Sequence, residues 1–264
     1  MKRLIQKTAN ALGYEVRRNS VAPPPSSVFQ PYVEHLSIAG VAFDVWIGDP
    51  TGKEWYTPEQ HTHLAEHTET ARLVHPGDRV LEIGAHHGFT AMLLSKLVGE
   101  QGFVLSVEPS PFNAMMATAQ IGLNRAANCR VLQAAASDRK GRSRISRDSN
   151  AMVTDSADGI EVAALTVDEI DSMSGPFNVL KIDVEGFERQ VLAGAAGLLQ
   201  REPAILLELH SPFLHLFGST PESVLHFLGA SYAGTFVPRD ARDQVHAFAA
   251  ETLPRDVIVN LFLT

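Results

Sequence analysis

One cysteine, Cys129, stands alone in 264 residues, so no disulfide can form within the chain. That agrees with a reducing cytoplasm, the expected location, and leaves the hydrophobic core to carry stability. No apolar run approaches the ~20 residues that span a bilayer, and "MKRLIQKTANALGYEVRRNS" lacks the continuous apolar centre of a secretory signal. Positive charge is scarce as well: 22 basic residues face 30 acidic ones, a net −8 that argues against nucleic acid as a partner. A small molecule or a glycan is the simpler expectation.

What is present divides the chain into three. Residues 1–27 combine a basic amphipathic start, with Leu4, Ile5, Ala9 and Leu12 at helical spacing, and the linker "APPPSS". Such a helix gives only weak, reversible contact with an anionic membrane surface or a partner, and a solvated basic face is the favoured reading. Residues 28–78 read as an extension of the main domain. "LSIAGVAFDVWIGD" alternates like a strand pair, and "TPEQHTHLAEHTETARLVHPGD" predicts a helix capped by Thr57 and Pro58 and closed by the Pro76-Gly77-Asp78 turn.

Residues 79–264 carry the catalytic pattern. "RVLEIG", "FVLSVEP", "CRVLQAAA", "FNVLKIDVEG" and "PAILLELH" are apolar runs ending in polar residues, most of them separated by helical segments. This predicts a doubly wound, mostly parallel α/β sheet, in which ligands bind beyond the carboxyl ends of the strands. Glu82, Glu108, Asp183, Glu208 and His210 would meet there. The polar segment "SDRKGRSRISRDSNAMVTDSADGIEVAALTVDEI" predicts an inserted hairpin before a strand and short helix.

"LEIGAHHGFT" is a strand, glycine turn and helix start, with Gly84 and Gly88 where a side chain would obstruct a nucleotide-like ligand. Glu82 beside the turn disfavours a pyrophosphate and favours a ligand bearing an amino group and a sulfonium, such as S-adenosylmethionine. Glu108 in "VEPS" suits ribose hydroxyls of either that ligand or NAD. The choice between them rests on Glu82, on the absence of a glycine at His86 and on the fourth strand.

"VLEIGAHHGFTAMLLSKLVG", "VLSVEPSPFNAMMATAQIGLN", "AAASD", "LTVDEI", "VLKIDVEGFERQVLAGA" and "AILLELH", in this order, resemble the FkbM family of S-adenosylmethionine-dependent methyltransferases. The resemblance implies a Rossmann-like class I methyltransferase fold, a seven-stranded sheet with an antiparallel edge to which "SYAGTFVP" and "PRDVIVNLFLT" are suited. It implies cofactor contacts from Glu82, Gly84, Ala85, Gly88, Glu108, Ala135, Ser137 and Asp138, with Pro109 beside Glu108. His86 departs from the family's usual asparagine and is carried as a further cofactor contact. The implied acceptor is a hydroxyl of a sugar, glycolipid or secondary metabolite.

For catalysis the candidates are Asp183, His210 and Glu185, to bind the cofactor's amino group or deprotonate the acceptor. Asp183, Glu208 and His210 form an alternative divalent-metal set, not the favoured reading. Glu188 is expected to be a solvated or dipole-stabilising residue in a first helical turn, and Lys181 to neutralise a neighbouring acid. Glu59, His63 and His67 share a helical face beside His61; a solvated polar face is favoured over a zinc site. The basic run Arg139 to Arg147 reads as a protected hairpin edge. Two readings from other classes remain at this point: a non-catalytic Rossmann-like binding module and a nucleotide-dependent oxidoreductase.

Overall fold

A computed structural model describes residues 29–61 and 64–264, excluding the side chains of residues 59 and 60. The expected basic helix and proline-rich linker of residues 1–27 therefore lie outside the described residues, and residues 31–264 form one compact unit. Among the described residues no helix is long and apolar enough to cross a membrane.

The first two strands, β1 (Tyr32–Ile38) and β2 (Val41–Ile47), are the expected hairpin. Ala39 and Gly40 both take positive φ, 49° and 80°, the twist that matches a two-residue hairpin turn. Amide side chains anchor this hairpin to the domain. Gln120 accepts from Trp46 N–H at 2.8 Å and donates to its carbonyl at 2.9 Å, while Asn124 does the same for Asp44 at 2.8 and 2.7 Å. They replace the strand partner that β2 lacks on that edge. Beyond β2, Asp49 caps the short helix Pro50–Trp55 by accepting from Gly52 N–H at 2.7 Å. The predicted long helix is broken into Pro58–His61 and Ala65–Leu73.

The main sheet contains β3 (Arg79–Ile83), β4 (Phe103–Val107) and β5 (Cys129–Leu132). After an insertion composed of β6 (Ala135–Ala136), β7 (Gly141–Ile145) and β8 (Ile160–Leu165), the chain returns as β9 (Val179–Ile182) and β10 (Ala204–His210). β11 (Gly234–Pro238), β12 (His246–Ala247) and β13 (Ile258–Leu263) complete it. The order is β12-β11-β13-β10-β9-β3-β4-β5, parallel from β5 to β10 and antiparallel from there outward. This is the expected class I arrangement, with one difference: the two-residue β12 adds an eighth strand to the edge.

Residues Val80–Ile83 and all of β9 are buried, as helices on both faces of a parallel sheet require. The chain order reverses between β3 and β9, which are neighbours, so their carboxyl ends part to leave a crevice. In the insertion, β8 pairs antiparallel with β7 and parallel with β6. Ala135, Ile145, Ala151 and Val162 give it a small core of its own. Thr166 and Glu169 then form a reciprocal capping box that starts helix Val167–Ser174. Cys129 is buried, as expected of core.

Candidate active site

A cavity of about 440 Å³ opens at the β3–β9 switch point. Gly84, His86, Glu108, Pro109, Ala135, Asp183, Glu185 and Glu208, all singled out from sequence, line it. Glu82, Ala85, Gly88 and His210 do not; they form its supporting layer.

Gly84 is fixed by the protein's own backbone. At φ +88°, a Cβ there would lie 1.8 Å from the Asp183 carbonyl oxygen. Gly88, at φ +82°, would set a Cβ 2.8 Å from Ala117 Cα, against helix Pro111–Asn124. Both glycines allow two protein segments to touch; Gly84 also lines the cavity, as expected, whereas Gly88 does not reach it.

Glu82 is 0 % exposed, accepting from Ser106 Oγ at 2.6 Å and lying 3.7 Å from Lys181 Nζ. Burial pushes its carboxyl up, with Lys181 working the other way. The carboxylate on which a direct cofactor contact was expected thus lies off the cavity lining, behind Lys181, which also donates to Asp183 Oδ2 and to the Gly84 carbonyl, both at 3.2 Å. Burial opposes charge on Asp183, but Lys181 and then His210 outweigh it and hold the carboxyl below its usual value. The neutralising role expected of Lys181 is what the geometry provides.

Glu108 is held by three donors. His86 N–H reaches Oε2 at 2.8 Å, and Ser110 N–H and Asn113 Nδ2 reach Oε1 at 2.9 and 3.4 Å. Burial nevertheless pushes the carboxyl up to about 7. His86 sits at φ +48°, and its Nδ1 is 2.5 Å from Tyr56 Oη. Burial and the neighbouring His87 lower His86 to about 4, so the ring is neutral at pH 7. Ser137 and Asp138, which follow β6, line a separate polar groove, while Ala135 and Ala136 of β6 itself line the cavity.

At the other end, His210 is 1 % exposed and its Nδ1 donates to Glu188 Oε1 at 2.7 Å. Glu188 is 0 % exposed and also accepts from Gly186 N–H at 3.0 Å. It does stand in the first turn of helix Glu188–Ala193, as expected, but it is buried rather than solvated; His210 gives the buried carboxylate its partner. Burial disfavours the imidazolium, but Glu188, followed by Glu208 and Asp183, raises His210 to about 10. His210 Nε2 lies 3.5 Å from Glu185 Oε2 and 3.8 Å from Asp183 Oδ1. Glu185, at φ +54°, accepts from Asn150 Nδ2 at 3.0 Å, and burial raises its carboxyl. A left-handed glutamate beside a cavity is strain of the kind that persists at functional sites.

These atoms correct the expected metal set. Glu208 pairs with Arg239 Nη1 at 2.5 Å and falls outside the cluster, whereas Asp183, Glu185 and His210 bring three ligand-type atoms together. His210 keeps its proton up to about 10 and donates through Nδ1 to Glu188, so an imidazolium with no lone pair on Nε2 faces the two carboxylates and the set does not fit a divalent ion.

The third wall includes part of the histidine-bearing segment for which a solvated face was favoured over a zinc site. Trp55, Tyr56, His61, His67, Arg239 and Arg242 line the cavity. His61 stacks on Phe89 at 4.0 Å between centroids and meets His67 at 3.1 Å. Burial and their mutual proximity bring His61 to about 4; burial and Arg242 do the same for His67. The solvated polar face expected here is corrected for this pair, since the helix breaks after His61; His63 and the Glu59 side chain lie outside the described residues.

A family model for the methyltransferase FkbM domain matches residues 82–235, more than half of the 264. The chain belongs to that family. No curated protein sequence matches it. Among solved structures, a SAM dependent methyltransferase from Aquifex aeolicus is similar at 14% identity and TM-score 0.45, covering 81% of this chain and 97% of that one. The precorrin-6y C5,15-methyltransferase of Geobacter metallireducens gives 11% identity and TM-score 0.46, covering 79% of this chain and 89% of the other. The fold assignment of this FkbM-family chain stands on its own strand order.

Proposed function

We propose that this chain transfers a methyl group from S-adenosylmethionine to a hydroxyl of a sugar, glycolipid or secondary metabolite. The observation that carries the reading is the charge of the cavity. Its lining holds Glu54, Glu66, Glu108, Asp183, Glu185 and Glu208 against Lys181, Arg239 and Arg242. Family membership supplies the reaction; the excess of carboxylate supports a cationic sulfonium and amine over a dinucleotide pyrophosphate.

Glu108 would accept from the ribose hydroxyls, beside Pro109 and Ala135, and Asp183 would face the amino group. The acceptor oxygen then attacks the methyl carbon in line: a C–O bond forms, the S–C bond breaks and the sulfonium becomes a neutral thioether. Glu185 takes the hydroxyl proton, helped by the burial that raises its affinity for one. His210 is a positioning residue, its Nε2 set behind the carboxylates of Asp183 and Glu185. Trp55, exposed at the cavity wall, offers an apolar ring against which a sugar can pack.

The test is calorimetry with S-adenosylhomocysteine and with NAD, followed by transfer of a labelled methyl group into a panel of glycans and polyols. Binding of S-adenosylhomocysteine alone and label in an O-methyl ether are expected. Binding of NAD instead would transfer the reading to an oxidoreductase, and cofactor binding without label in any hydroxyl would overturn the acceptor.

A further inference from the structure

We propose that His61, Glu66 and His67 form a second site, for a divalent first-row cation of the zinc class, in the wall of the cavity. The inference goes beyond the methyl-transfer reading and uses none of the residues assigned to it.

One imidazole is oriented by its outer partner. His61 Nε2 lies 2.7 Å from the Trp55 carbonyl oxygen, which can only accept, so Nε2 carries the hydrogen and Nδ1 of the neutral ring presents a lone pair. That lone pair meets His67 Nε2 at 3.1 Å. Two nitrogens bound to zinc at about 2.0–2.1 Å in a tetrahedron lie roughly 3.4 Å apart, so the pair is close to ligand geometry already. A Glu66 oxygen completes the group, all three ligand atoms falling within 4.8 Å of one another.

The outer layer is also that of a metal site. Trp55 fixes His61, and Arg242 and Asn260 fix the Glu66 carboxylate at 2.6 and 3.1 Å. Arg242 is the opposing charge, but its guanidinium engages Glu66, which can be shared between it and a cation. Three protein ligands leave a coordination position, and all three residues line the cavity. Glu66 bonds to Asn260 on β13, whereas Glu108 follows β4, so the site lies toward the opposite side of the sheet from the ribose acid. A cation there would take an oxygen of the acceptor, favouring a vicinal diol or a carboxylate over a lone hydroxyl.

The experiment uses the full chain, stripped by chelation and titrated with Co²⁺ and Zn²⁺ alone, with visible absorption and calorimetry as readouts. Wild type is expected to bind with a tetrahedral cobalt spectrum. His61→Gln and His67→Gln should each weaken that binding at least tenfold, and Asp183→Asn should leave it unchanged. Circular dichroism of the metal-free variants establishes that each is folded; Glu66→Gln provides the same test should a histidine variant fail to fold. Absence of micromolar binding by wild type, or binding lost in Asp183→Asn and retained in the histidine variants, overturns the proposal.

Discussion

Glu188 Oε1 stands 2.7 Å from His210 Nδ1, with both side chains sealed from solvent. A buried ion pair loses several kcal/mol when one partner is removed, because the other is left charged and unpaired. Glu188→Gln should therefore destabilise the protein by about 3–5 kcal/mol, measured by urea denaturation at pH 7.

The same pair gives stability a pH dependence. His210 binds its proton more tightly folded, at about 10 against an ordinary 6.5. Its contribution is complete below pH 6.5 and is lost as pH rises through 10. Between these limits the fall approaches about 1.4 kcal/mol per pH unit. Denaturation midpoints from pH 7 to 10 should drop more steeply for wild type than for His210→Gln; equal slopes would remove the pairing as their source.

Glu108 titrates in the opposite functional sense. Its carboxyl is raised to about 7, so without ligand it costs stability as pH climbs through that value. Ribose hydroxyls need the ionised form as acceptor. Affinity for S-adenosylhomocysteine should increase from pH 6 to pH 8, and Glu108→Gln should bind more weakly with a flat profile.

If Glu185 receives the acceptor's proton, Glu185→Gln lowers kcat by about 10²–10⁴-fold. Calorimetric affinity for S-adenosylhomocysteine should stay within about twofold of wild type, since the cofactor's assigned contacts are Glu108 and Asp183. Full turnover in the variant would assign the proton to another group.

Gly84→Ala should destabilise far more than Gly218→Ala. Both glycines have positive φ, +88° and +64°, and share the left-handed cost of roughly 1–2 kcal/mol. Only at Gly84 does the added Cβ meet backbone, 1.8 Å from the Asp183 carbonyl oxygen; around Gly218 nothing lies within 4 Å. Comparison of urea midpoints for the two variants decides it.

The sheet was legible because its strands are buried on both faces and read as apolar runs, and the acids at their ends pointed to the crevice. Asp183, Glu185 and Glu108 were found that way. Glu188 was not: an acid in a helix's first turn reads as solvated, and its burial depends on His210 arriving from β10. Helical spacing set Glu59, His63 and His67 on one face with His61 beside it because it assumes an unbroken helix, whereas Leu64 is not helical and His61 and His67 come together. Ser137 was assigned to the crevice through the family resemblance alone; Ala135 of the same segment lines the cavity, whereas Ser137 lines the separate groove. Arg239 and Arg242 follow β11 in a polar run with no periodic signal, and Arg239 reaches Glu208 only through the antiparallel edge.

The insertion touches both ends of the reaction chamber through two consecutive residues. Ser149 accepts from Asn113, which also steadies Glu108, and Asn150 donates to Glu185. Displacing that one bend breaks both bonds together. A sequence change there would therefore register in nucleoside affinity and in proton transfer at once, coupling two properties that an enzyme with a separate lid could alter independently.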